Sequence, residues 1–107
     1  MSPIPINADN GGAVFHEGHD DMHGFTCVLE SGVDTYIGRW EHNVDGVIIL
    51  KGASHHQDGE EGMRTKDFIE KTAKFGLVPK QPQIEVEAAG VTSVRKLGDV
   101  AKAIRGF

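Results

Sequence analysis

Two glycine-centred turns cut the middle of this chain into three short apolar runs, and that spacing constrains the fold more than any other feature. The runs are Phe25-Thr-Cys-Val-Leu-Glu30, Asp34 to His42 and Val47-Ile-Ile-Leu-Lys51, with Ser31-Gly32 and Asp45-Gly46 between them. Segments of this length bounded by turn residues read as antiparallel strands, here a β-meander over residues 24–51. Asp-Gly between apolar runs is a strong hairpin signal, because both residue types tolerate the positive φ that a tight turn demands. In the middle run Tyr36, Gly38, Trp40 and His42 share one face, and Thr35, Ile37, Arg39 and Glu41 the other. The aromatic face is expected to point inward, and Gly38 between the aromatics predicts a bulge or sharp bend that curls the sheet.

Residues 53–63, with His55, His56, Asp58, Gly59, Glu60, Glu61 and Gly62, read as an exposed loop. The clearest helix follows near residues 65–75. Phe68, Ile69, Thr72, Ala73 and Phe75 gather on one side, Thr65 or Asp67 is placed to cap the start, and Gly76 to stop it. Pro79 and Pro82 enforce a linker, strands are expected near residues 83–96, and a short helix over about 99–104 closes the pattern. Residues 1–12, with Pro3, Pro5, Asn7, Gly11 and Gly12, read as an extended arm ahead of a single domain over residues 13–107. The fold class is α+β: a small, strongly bent antiparallel sheet or barrel with one main helix and a short C-terminal one.

The chain has 107 residues, of which 25% are charged and 38% hydrophobic, which excludes collagen-like and wholly disordered classes. The longest aliphatic run, Val47 to Leu50, is too short to cross a bilayer as a helix. A single cysteine, Cys27, makes no intramolecular disulfide, and the first residues show no basic and then apolar leader pattern, so the expectation is a reduced, cytoplasmic protein. In its strand-like run Cys27 reads as a small buried thiol. Charge is uneven: residues 1–62 carry 2 basic against 11 acidic groups, residues 63–107 carry 9 basic against 5 acidic. Such asymmetry suggests a cation-attracting region joined to a mildly basic one, or two surfaces that meet between subunits.

All six histidines lie in the acidic part. His16, His19 and His23 alternate with Glu17, Asp20 and Asp21, while His55-His56 lie near Asp58, Glu60 and Glu61. Neutral imidazoles take divalent transition metals such as zinc, nickel or copper, and carboxylates neutralise the ion, so these five histidines are the candidate metal ligands. The competing reading is a solvated polar loop. A metal-dependent hydrolase would use Glu17 or Asp20 as general base beside a bound water. Its spacing is not that of the helical metalloprotease motif, and a domain of this size has little interior for a pocket. Ser54, His55 and Asp58 make a triad on paper only, being neighbours in one segment. Lysines and arginines of the C-terminal half are interspersed with acids and lack an aromatic platform, which disfavours nucleic acid as a partner.

The stretch from Val28 through Gly32, Tyr36, Gly38 and Trp40 to Asp45 and Leu50 resembles the Sm-like small barrels, and Val94-Arg95 with Gly98 and Val100 is similar to that family's closing strand. The match covers residues 28–50 and 94–100, and a generic SH3-like barrel gives the same pattern. The turn at Asp45-Gly46 lacks the asparagine that the family uses for base recognition. The resemblance therefore implies barrel geometry and ring-like or dimeric assembly, with RNA binding third in order. The leading functional reading is a non-catalytic module that associates with itself or another protein and holds a divalent metal in its histidine-rich loops. A metal-dependent enzyme using His16, His19 and His23 is the alternative.

Overall fold

A computed structural model describes residues 22–104 of the chain. The arm at residues 1–12, the short run 13–17 and the candidate ligands His16 and His19 lie outside the described residues. Five strands form one antiparallel sheet: β1 (Thr26–Ser31), β2 (Asp34–Val44), β3 (Val47–Gln57), β4 (Gln81–Glu87) and β5 (Ser93–Lys96). Two helices, α1 (Thr65–Phe75) and α2 (Leu97–Ile104), complete it, with single 3₁₀ turns at Glu60–Gly62 and Ala88–Gly90. The strand order is β4-β3-β2-β1-β5, so β4 and β5 are the edges and the sheet is open.

The meander forms where the turns place it. Asp45 and Gly46 both have positive φ, 55° and 76°, the geometry of a two-residue hairpin loop whose twist matches its strands. Val44 pairs with Val47 at the loop and Asp34 with Gln57 at the far end. The hairpin therefore has two arms of 11 residues each. This corrects the loop expected over residues 53–63, because its first five residues continue β3. They extend because β2 offers them partners: Thr35 opposite His56, Tyr36 opposite His55 and Ile37 opposite Ser54. A strand with a pairing partner satisfies its backbone groups whatever the polarity of its side chains.

Two register shifts, at Ile37/Arg39 and Trp40/His42, bend the hairpin on either side of Gly38 and Trp40. Gly38 marks the closest approach: a Cβ there would stand 2.6 Å from Ala53 Cβ. The bend yields two cores on opposite faces. Cys27, Leu29, Trp40, Ile48, Leu50, Ile84, Val86 and Val91 bury one another on the concave face, with Tyr36 packed against them. Val28 and Ile37 face the other way and meet Ile69 of α1 and Val100 of α2. The Tyr36/Trp40 face is thus inward, and Ile37 on the opposite face is equally buried under the helices.

α1 occupies the residues its periodicity assigns, but its cap is not Thr65 or Asp67. The Thr65 N–H donates to Asp58 Oδ1 at 2.9 Å, and no side chain at the N-cap position substitutes for it. The Gly76 N–H closes the other end on Thr72 O. Phe75, expected on the buried side, is 80% exposed. It stands two turns beyond Phe68, and nothing among the described residues covers it. α2 begins at Leu97, two residues ahead of its expected start.

Candidate functional site

Three places concentrate chemistry: a groove between β3 and α1, the histidine positions, and the sheet edges. The groove has a volume of about 510 Å³ and runs from Ser54 and His56 past Phe68 to Phe75 and Val78. Ser54 builds one wall, because its hydroxyl donates to Val78 O at 3.2 Å and the Lys80 N–H donates to Ala53 O at 3.0 Å. These bonds hold the backbone of residues 78–80 against β3 and leave the Val78 side chain 67% exposed. Phe75 and Val78 form an apolar lip, and Lys71 and Lys80 line the same end.

His56 lies beneath this groove, its ring stacked on Phe68 at 4.6 Å between centroids. Nε2 sits 2.8 Å from Met63 O. A carbonyl only accepts, so Nε2 carries the proton and Nδ1 faces Glu60 Oε1 at 3.9 Å. His55 is turned to the opposite face, stacked on Tyr36 at 4.8 Å with Nε2 at 2.8 Å from Asp34 Oδ1. Burial and the Asp34 charge push the Tyr36 hydroxyl above its ordinary pKa. The two adjacent histidines therefore serve different sides of the strand, and a single ion does not meet both rings.

His23 stands elsewhere, beside the other half of β2, 3.7 Å from Glu41 Oε2 and stacked with His42 at 6.4 Å. Among the described residues no group of three His, Cys, Asp or Glu side chains is arranged to hold an ion. The paper triad is dispersed by its partners: Ser54 on Val78, His55 on Asp34, Asp58 on Arg64 and Thr65. Cys27 is fully buried, and burial pushes its thiol up to about 11, opposed by Lys96, so it stays a protonated core residue at neutral pH.

The edges differ in charge. β4 presents Glu85 and Glu87, both exposed, on the face away from the concave core. On that same face β5 presents Arg95, opposite Val28 in the register and bonded to Glu30 at 2.8 Å. Lys96 lies on the other face, over the Phe25 ring at 3.9 Å. The Ala88 N–H donates to Gly46 O at 2.9 Å. Counting back by twos along the ladder turns the amides of Ile84 and Val86 toward β3 and those of Gln83 and Glu85 outward. No strand pairs with the outer side of β4 or β5 among the described residues. The alternation of Ile84 and Val86 with acids marks β4 in the sequence, and the strand order makes it an edge.

These features define a class, the α+β proteins built on a curled, open, five-stranded antiparallel sheet with helices on its convex face. No family model matches the chain, and no curated protein matches it in sequence. Among solved structures it is similar to an Sm protein of Pyrococcus abyssii in complex with a uridine heptamer, at 14% identity and a TM-score of 0.46, over 70% of this chain and 86% of that one. The likeness is partial, as is the resemblance carried by residues 28–50 and 94–100.

Proposed function

We propose that this protein is a non-catalytic self-association module that joins copies by pairing β4 of one with β5 of the next. The observation that supports this reading is the pair of unlike edges. Glu85 and Glu87 mark one and Arg95 the other, on the same face of the sheet. An unpaired strand edge accepts a further strand, and charge selects which. Two β4 edges set acid against acid and two β5 edges set Arg95 against Arg95, so like edges repel. The β4-to-β5 join brings opposite charges together, each cross-strand pair contributing roughly 0.2–1 kcal/mol. Such a head-to-tail join uses a different patch on each partner, and it closes into a ring or continues as a filament.

Native mass spectrometry of the untagged chain tests this. The expected result is a multiple of 11.6 kDa that reverts to the single chain when Glu85 and Glu87 are both changed to arginine. A wild-type chain that stays single at micromolar concentration overturns the proposal. The same spectra taken before and after a chelator report any bound metal, and an edge-joined assembly keeps its mass through that treatment.

A further inference from the structure

We propose that the groove between α1 and β3 binds a short apolar peptide with both ends free, its ammonium at Glu60 and Glu61 and its carboxylate at Lys71 and Lys80. This site is independent of the edge-to-edge association proposed above. The groove carries both signs of charge and leaves them apart. Among the described residues Glu61, Lys71 and Lys80 have no ion-pair partner, and Glu60 meets only the His56 ring, at 3.9 Å. Opposite charges that line one groove without joining complement a ligand that carries both.

At the acidic end two acceptors face each other. His56 is 7% exposed and gives its one proton, on Nε2, to Met63 O at 2.8 Å, so Nδ1 presents a lone pair toward Glu60 Oε1. That carboxylate oxygen is held in place by the Gln57 N–H, which donates to it at 2.9 Å. Nδ1 has no donor among the described residues, and a buried acceptor without a donor is costly. An ammonium brings three donors and a positive charge, which suits an imidazole lone pair and a carboxylate together. Glu61, the next residue, lines the groove as well.

The span between the charges sets the length of the ligand. His56 stacks on Phe68, which places Glu60 by the first half of α1, and Phe75 lies about 10 Å further along the helix. β3 gives the same span, because the Lys80 N–H donates to Ala53 O, about 10 Å along the strand from His56. A single amino acid holds its two charges too close together to reach both ends, whereas an extended tripeptide covers about 10 Å. Its side chains meet Phe75 and Val78, both exposed at the lip. The volume of about 510 Å³ is ordinary for a small-ligand pocket.

Titration of the ¹⁵N-labelled full-length chain with the tripeptide Ala-Phe-Ala, followed by magnetic resonance, tests the inference. Shifts are expected in the amides of residues 60–63 and 71–80 and in the His56 Nδ1 resonance. N-acetylation and C-amidation of the peptide should each weaken binding about tenfold, the effect of losing one charge-assisted hydrogen bond. The Nδ1 shift should accompany the free and the amidated peptides and not the acetylated one. Glu60→Gln should weaken the free peptide and leave the acetylated one unchanged, and Lys80→Gln should weaken the free peptide and leave the amidated one unchanged. Shifts absent at millimolar peptide or confined to other residues overturn the site. Equal binding of the doubly capped peptide, or a loss on capping one end alone, overturns the assignment of one charge to each end.

Discussion

Asp58 Oδ1 accepts the backbone N–H of Thr65 at 2.9 Å, so the start of α1 is held by a residue seven positions upstream. The same carboxylate receives Arg64 Nε at 3.0 Å and Nη2 at 3.3 Å. The Arg64 side chain first, and the Thr65 amide second, hold Asp58 below the ordinary carboxylate range. A carboxylate lowered by folding contributes stability above its unfolded pKa of about 3.9 and loses it as pH falls through the folded value. Asp58→Asn is therefore expected to melt below the wild type at neutral pH, with the gap narrowing below about pH 4. Equal melting temperatures at pH 7 would mean that the Asp58 charge adds nothing to the hydrogen bond, which an asparagine oxygen also accepts.

Gly38 permits the bend of β2 because its missing Cβ leaves room for Ala53 and Leu50. Gly38→Ala is expected to cost about 1–3 kcal/mol in urea unfolding, the range for overpacking a filled core. The double variant with Ala53→Gly should recover most of that loss. A neutral single substitution would mean that the sheet relaxes without strain.

The outward amide of Glu85 gives a test of the edge that spares the fold. Proline removes that N–H and leaves the β3 ladder intact. Glu85→Pro should keep the wild-type circular dichroism and shift the assembly to the single chain. Ile84→Pro, whose amide faces β3, should unfold the protein. An assembled Glu85→Pro chain would place the contact elsewhere.

Adjacent histidines should respond differently to truncation. His56 is 7% exposed, stacked on Phe68 and bonded to the Met63 carbonyl, so His56→Ala is expected to cost roughly 2–3 kcal/mol. His55 faces solvent with a partly exposed ion-pair partner, and His55→Ala should cost less than about 1 kcal/mol. Chemical denaturation of the two variants decides; equal losses would contradict the assignment of the rings to opposite faces.

The turns and the periodic helix were legible because their signals are local. Asp45-Gly46 requires a particular φ pair, and Ile69 and Thr72 repeat with the helix. The second half of β3 was hidden because His55, His56 and Gln57 have no apolar pattern. What extends them is the opposite arm at residues 34–37, a non-local cause. The clue present in the chain was the two-residue loop, which gives the hairpin arms of equal length. Asp58 was missed as a cap for the same reason, since capping rules look at the helix and its immediate neighbours. The histidine-rich segments looked alike in composition, yet His23 sits by Glu41 while His55 and His56 sit at the far end of β2, a separation that only the pairing register reveals.

That register also makes the two neighbouring imidazoles a gauge of strand slippage. One residue inserted into β3 ahead of Ala53 exchanges their surroundings, sending His55 toward Phe68 and His56 toward Tyr36. The ring-current shifts of two side chains thus report, in a single magnetic-resonance spectrum, whether the hairpin has closed on its proper frame.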